Sequence, residues 1–412
     1  MINGAFRGIA SGASAAGGGG GSGTDLLTLN AALSGTAGYH YWDFAGSFLG
    51  SFIFDDTTGA HPSSYTNWQR LGPGVTSDRI FATTQLGTVW FGEYPIPTLS
   101  ASLDQNDWPL VAPVQTHRSA YADAPTPITW DEPRIGGLYY YPTDNDLYVT
   151  IVDSYGDVAG EPNTVLYTTG DNIATSSVTG IYDNGAGRHA HGGMIPIPTA
   201  FQADLGGTHM IVSGGIMSID SSTTNGISVY VLPTPSSTSA IEAMDFPLGN
   251  DMGYLDPDIG DPMEPDTSQL WNHVACASGA FIYPNTRTLV VLGINFELSL
   301  PGNHVIYKPQ VNDIGEVPDG HAPYLHDSYI KYYWLIDIDD LIATVDDPVT
   351  NPPHMILPYE YGELPDFGIG GWQQKLTGAS FDPRDNRLTI SCMYGATPRL
   401  GSSPSLHCFE IV

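Results

Sequence analysis

One strand-turn-strand phrase occurs three times in this chain and restricts its folding more than any other feature. Gly378 to Ile390 runs from a short apolar segment into Asp382-Pro383, a polar turn, and a second apolar run from Leu388. Gly137 to Val149 repeats it with Tyr141-Pro142 at the bend and Leu147 at the restart, and Gly279 to Val291 with Tyr283-Pro284 and Leu289. In all three, glycine, proline and leucine stand five residues apart. Glycine admits a close backbone neighbour, and proline ends a strand because it cannot donate to the ladder. Aspartate, asparagine and threonine then turn the chain into a β-branched run. With 48 glycines and 32 prolines such spacing also arises by chance. The weight therefore rests on the whole phrase, and its recurrence at long intervals indicates a repeat architecture.

The rest of the sequence points the same way. Long helical periodicity is absent almost everywhere, and a hydrophobic content of 41% over 412 residues suits a globular chain with a large core. An all-β fold is expected. Opening glycines fall at Gly50, Gly137, Gly193, Gly279 and Gly378. The first four units each offer about four strands, the size of a propeller blade. The fifth offers three, and a strand near Tyr41 to Phe44 would supply the fourth beside Leu406 to Ile411. The expectation is a β-propeller of five blades, with six or seven as alternatives, closed by pairing N- and C-terminal strands. A short helix is expected at Ala200 to Leu205, ended by Gly206-Gly207.

Residues 1–38 form a separate leader, with five consecutive glycines at Gly17 to Gly21, and 39–412 a single propeller domain. The leader is too poor in apolar surface to fold alone. It is read either as a tail or as an arm ordered against a neighbouring subunit. The start, Met1 to Arg7, lacks the pattern of a conventional secretory signal, and no apolar run reaches the length of a membrane span.

Charge excludes one class of partner. The net charge is −31, and the only lysines are Lys308, Lys331 and Lys375. Such a surface repels nucleic acid. Cys276, Cys392 and Cys408 form no disulfide framework; Cys392 and Cys408 could pair or remain buried thiols.

Several further phrases carry a family resemblance. They are Ile135-Gly136-Gly137-Leu138, Ile195-Pro196-Ile197-Pro198, Phe201-Gln202 with Leu205-Gly206-Gly207, the turn Asn285-Thr286-Arg287, the run Trp334 to Leu341, and Gly378 to Pro383. In order and type these resemble an uncharacterised bacterial family of propeller-like proteins, over roughly residues 44 to 412. Phe201 stands where that family usually has tryptophan. The resemblance implies a fold and no reaction.

Two places have metal-binding chemistry. His189-Ala190-His191 puts two imidazoles on one face if extended, with channel or surface hydrogen bonding as the alternative. Asp256-Pro257-Asp258-Ile259-Gly260-Asp261 is an oxygen-rich loop that would suit Ca2+, or is simply solvated. No nucleophile, base or carboxylate pair has a diagnostic spacing. The chain is therefore expected to be a structural or adhesive component of an extracellular assembly, a virus (phage) particle foremost. Its partners would be other subunits, through the glycine arm, with a cell-surface glycan as a further candidate. The alternative is a propeller enzyme or ligand-binding module acting on extracellular glycans or similar substrates.

Overall fold

A computed structural model describes residues 48–54, 68–70, 79–83, 90–95, 97–112, 114–118, 133–141, 146–153, 164–169, 178–186, 190, 192–214, 227–245, 276–296, 306–307, 324–325, 329–364, 376–382, 387–392 and 405–410. These are mostly β, with two α-helices among them. After β1 (Phe48–Phe54), the first sheet holds β2 (Trp68–Arg70), β3 (Arg79–Thr83) and β4 (Trp90–Pro95). The chain then gives β5 (Leu110–Val111), and β6 (Gln115–Arg118) completes that sheet in the order β2-β3-β4-β6. The second sheet is β7 (Pro133–Tyr141), β8 (Asp146–Asp153), β9 (Thr164–Thr169) and β10 (Val178–Asp183). The third is β11 (Gly193–Pro196), β12 (His209–Gly214), β13 (Ile227–Leu232) and β14 (Ile241–Met244), with helix α1 (Thr199–Leu205) between its first two strands.

The fourth sheet opens with β15 (Cys276–Ile282) and β16 (Thr288–Phe296). A two-stranded ribbon of β17 (Ile306–Tyr307) and β18 (Tyr324–Leu325) comes next in the chain. The sheet resumes with β19 (Tyr329–Asp337), and after helix α2 (Ile338–Asp346) ends with β20 (Glu360–Glu363). The fifth sheet has β21 (Leu376–Asp382), β22 (Arg387–Cys392) and β23 (Ser405–Glu410), and then β1 and β5, in the order β21-β22-β23-β1-β5. The N-terminal strand thus lies antiparallel to the C-terminal one, pairing Ser51 with His407 and Ile53 with Ser405.

That pairing corrects one expectation. Tyr41 to Phe44 lies outside the described residues, but both edges of β23 are taken, by β22 and by Phe48–Phe54. Phe48–Phe54 therefore belongs to the last sheet and does not open the first one. The first sheet instead opens with Trp68–Arg70, three residues with no apolar run to announce them. In the fourth sheet the outer strand is Glu360–Glu363, while Met355 ends a 3-10 turn, Pro353–Met355. The expected helix at 200–205 is present, and Gly206 closes it with φ 70°.

The recurring glycine has a structural cause. In β7, β15 and β21 the register shifts just before Gly137, Gly279 and Gly378, as a β-bulge does when one strand carries an extra residue. The shift precedes Gly50 of β1 as well. First strands also touch one another in cyclic order: β2 meets β7, β7 meets β11, β11 meets β15, β15 meets β21, and β21 meets β2. Hydroxyls tie some of these neighbours: Thr150 donates to Gly192 O at 2.8 Å and Ser278 to Leu376 O at 3.1 Å.

The core sits between successive sheets. Tyr139, Tyr148, Ile211 and Leu232 fill the space between the second and third, and Met210, Val229, Val291 and Trp334 that between the third and fourth. Val290, Leu292, Tyr333 and Ile390 join the fourth to the fifth, and Phe52, Leu406 and Tyr94 the fifth to the first. Residues of β16 and β19 alternate between two of these clusters. A sheet buried on both faces reads as a continuous apolar run, as Leu289 to Leu292 does. Cys392 and Cys408 are buried and share no disulfide, and burial pushes the Cys392 thiol up to about 12.

Candidate functional site

Where the first strands converge they enclose a cavity of about 420 Å³. Its walls come from four sheets: Leu138 and Tyr139 of β7, Gly193 to Pro196 of β11, Gly279 to Ile282 of β15, and Ala379 to Phe381 of β21. Three of these segments, in β7, β15 and β21, carry the recurring phrase, so the repeat that organises the sequence also lines much of the cavity. Pro198 and Thr199 at the start of α1, with Pro284 and Asn285 of the β15–β16 turn, complete the wall.

Local structure fixes each part of that wall. Asn285 takes a left-handed φ of 59°, and Thr286 closes the turn by donating backbone N–H and hydroxyl to Tyr283 O. Two residues on, Arg287 Nε donates to both Asp337 oxygens, at 2.9 and 3.2 Å, and lies 3.3 Å from Asp339. Asp337 also caps α2 by accepting from Asp339 N–H at 3.0 Å. The Asn-Thr-Arg turn and the Trp-to-Leu341 run, separate in sequence, are thus one latch. A carboxylate at a helix N-terminus with an arginine partner is a charge-assisted pair suited to that task. On the other side Gln202 donates to Ile197 O at 2.8 Å, and Phe201 and Leu205 bury α1 in the core.

The lining is chiefly apolar. Phe281 and Phe381, from adjacent sheets, stack with centroids 4.9 Å apart at 24°. Met194 is buried at 3% exposure, and Ile195, Ile197 and three prolines add further hydrocarbon. Among the described residues, the polar side chains in the lining are Tyr139, Thr199, Asn285 and Ser380. Tyr139 meets His209 Nε2 at 3.1 Å, with the two rings edge to face at 5.1 Å. His209 Nδ1 lies 2.8 Å from the Thr208 hydroxyl. Burial lowers the His209 pKa to about 4, so the imidazole is neutral at pH 7. Chemically, a chiefly apolar wall with a few polar groups suits burial of an apolar group with a few oriented hydrogen bonds.

The metal candidates His189, His191, Asp256, Asp258 and Asp261 lie outside the described residues. Ala190 and Gly192, which flank His191, are buried. No cluster of three or more His, Cys, Asp or Glu with metal-binding geometry occurs among the described residues. Sequence reasoning missed Tyr139, His209, Phe281 and Phe381, because each reads as an ordinary core position. The available signal was position: Tyr139 and Phe281 stand two residues after a phrase glycine.

No family model matches the chain. No curated protein matches it either. Among solved structures, an α-L-arabinanase of Penicillium chrysogenum complexed with arabinobiose is similar at 10% identity and a TM-score of 0.38, over 89% of this chain and 98% of that one. The polycomb repressive complex 2 of Chaetomium thermophilum is similar at 10% identity and a TM-score of 0.32, over 89% and 97%. Likenesses this distant carry no argument about activity.

Proposed function

We propose that the five sheets are the blades of a five-bladed β-propeller, and that the chain serves as an adhesive or structural subunit of an extracellular assembly such as a virus particle. The cyclic contact of the five first strands supports the ring, and the pairing of β1 with β23 is the seam that joins its ends. A seam of that kind removes open sheet edges, where chains otherwise add to one another. The cavity between the first strands is then the axial mouth, with side chains suited to holding a ligand or receptor group.

The assembly half of the proposal rests on residues 1–23, with their five-glycine run, and on the charge of −31. Ordering a flexible backbone costs about 1–2 kcal/mol per residue, so such an arm gains order only from extensive contacts. A glycine backbone can enter narrow clefts or add to a sheet edge of a neighbouring subunit. A version beginning at Thr24 is expected to keep the full chain's Tm and to fail to incorporate into the assembly. Equal incorporation, measured by co-sedimentation, would remove the arm from the account.

A further inference from the structure

We propose that the outer edge of the fifth sheet, at Leu110, receives residues 2–8 of the glycine-rich arm of a second copy of this chain. This rests on reading residues 1–23 as an assembly arm, and it names the surface on which the arm docks.

Backbone geometry defines the edge. β5 is the last strand in the order β21-β22-β23-β1-β5, so one side of it meets β1 and the other leads out of the sheet. Pro109 O accepts from Ile53 N–H at 2.9 Å and so points toward β1. Backbone groups of successive strand residues point to opposite sides, which turns the N–H and C=O of Leu110 outward. Among the described residues no hydrogen bond engages them. Pro109 and Pro113 bracket this edge in the sequence. Proline keeps it too short for whole sheets to pair, yet it admits one extended segment.

The side chains around that edge are apolar and exposed: Leu103 by 48%, Leu110 by 39% and Val114 by 55%. Exposed apolar groups gathered in one stretch mark a contact surface, as single scattered ones do not. The arm has matching groups. In an extended 2–8 segment Ile2, Gly4, Phe6 and Gly8 share one face. The glycines let its backbone come close, and Ile2 and Phe6 supply apolar surface.

Charge selects the same partner. Asp104 and Asp107 are exposed beside Leu103. Each holds the loop with one oxygen: Asp104 Oδ1 accepts from Asn106 N–H at 2.9 Å, and Asp107 Oδ2 from the Ser102 hydroxyl at 2.7 Å. The arm carries Arg7, and residues 1–24 contain no aspartate or glutamate. Two copies, each of charge −31, repel over most of their surfaces. This segment instead meets the two carboxylates as a cation.

The test is oxidative cross-linking between two full chains, one carrying Phe6→Cys and the other Val114→Cys. Wild-type chains set the background from the native cysteines. Val349→Cys, at a position 88% exposed, replaces Val114→Cys as the control for chance contact. The expected result is a mixed dimer at least about fivefold more abundant with Val114→Cys than with Val349→Cys. Arg7→Glu, placed in the Phe6→Cys chain, should lower its yield about fivefold. Leu110→Lys in the other chain should do the same, and being exposed it leaves the fold intact. Equal yields at both positions would overturn the docking surface. Cross-linking only when both cysteines share one chain would show the arm folding back on its own copy, and would overturn the partner. Absence of any mixed dimer, while the chain beginning at Thr24 still fails to incorporate, would overturn this surface and leave the arm's role standing. Absence of the dimer together with normal incorporation of that shortened chain would overturn both.

Discussion

Moving the protein from pH 7 to pH 4.5 is expected to remove about 5 kcal/mol of stability, because two buried histidines resist protonation in the folded state. His407 is fully buried at the seam, with Ser51 Oγ 2.8 Å from Nδ1, Ser405 Oγ 2.9 Å from Nε2, and Trp108 edge-on at 5.2 Å. Burial and then the nearby Lys331 charge lower its pKa to about 3, and burial alone lowers that of His209 to about 4. Both folded values lie below the unfolded one near 6.5, so the unfolded chain takes up protons first. Stability is fully present above the unfolded pKa. It falls with acid by about 1.4 kcal/mol per pH unit for each histidine, until the folded values are reached. Asp339 and Asp340, raised mainly by burial, act in the opposite sense. Stopping at pH 4.5 limits their contribution. Urea midpoints at the two pH values measure the effect, and His209→Gln should reduce the pH difference by about half. A pH-independent midpoint would show that the imidazoles are not buried as described.

Gly279→Ala is expected to cost about 3 kcal/mol, at the upper end for overpacking a tight site. A Cβ there would sit 2.8 Å from Ala379 N and closer still to the Ala379 carbonyl oxygen, in the first strand of the next sheet. Backbone cannot step aside as a flexible side chain can. Gly193→Ala is the control, because its Cβ would meet nothing within 4 Å, and its stability should change by less than about 0.5 kcal/mol. Thermal melts of the two variants compare them directly. Equal losses would mean that the first strands do not approach as closely as the fifth sheet's contact with the fourth requires.

That contrast shows how far the sequence could be read. Gly137, Gly193 and Gly279 all read as opening glycines of a unit, yet a Cβ clashes with backbone at Gly137 and Gly279 and not at Gly193. The phrase identified β7, β15 and β21 with the turns and strands that follow them, and β-branched runs between turn residues marked the other two strands of the second sheet. Trp68–Arg70 escaped notice because three residues of mixed polarity carry no period. Helix α2 was hidden by the strand before it: Tyr332 to Ile336 is apolar throughout, being buried on both faces, and the run continues into Ile338. The usable signal was Asp337, an N-cap followed by Asp339 and Asp340 in the first turn. Phe48–Phe54 matched the opening strand of a unit by its pattern, and pattern does not reveal which sheet a strand joins. The cavity was illegible for a different reason. Its walls are Ile, Pro, Met and Phe, the same residues that build a core, and only their convergence from four sheets makes a site.

The central claim is that one ring is joined where β1 pairs with β23. Hydrogen exchange resolved to short peptides measures that pairing most directly. Amides of 48–54 and 405–410 are expected to be protected alike, and to exchange in a single step with β21 and β22 as denaturant is added. Rapid exchange across 48–54 while 405–410 stays protected would contradict the seam, and with it the closed ring.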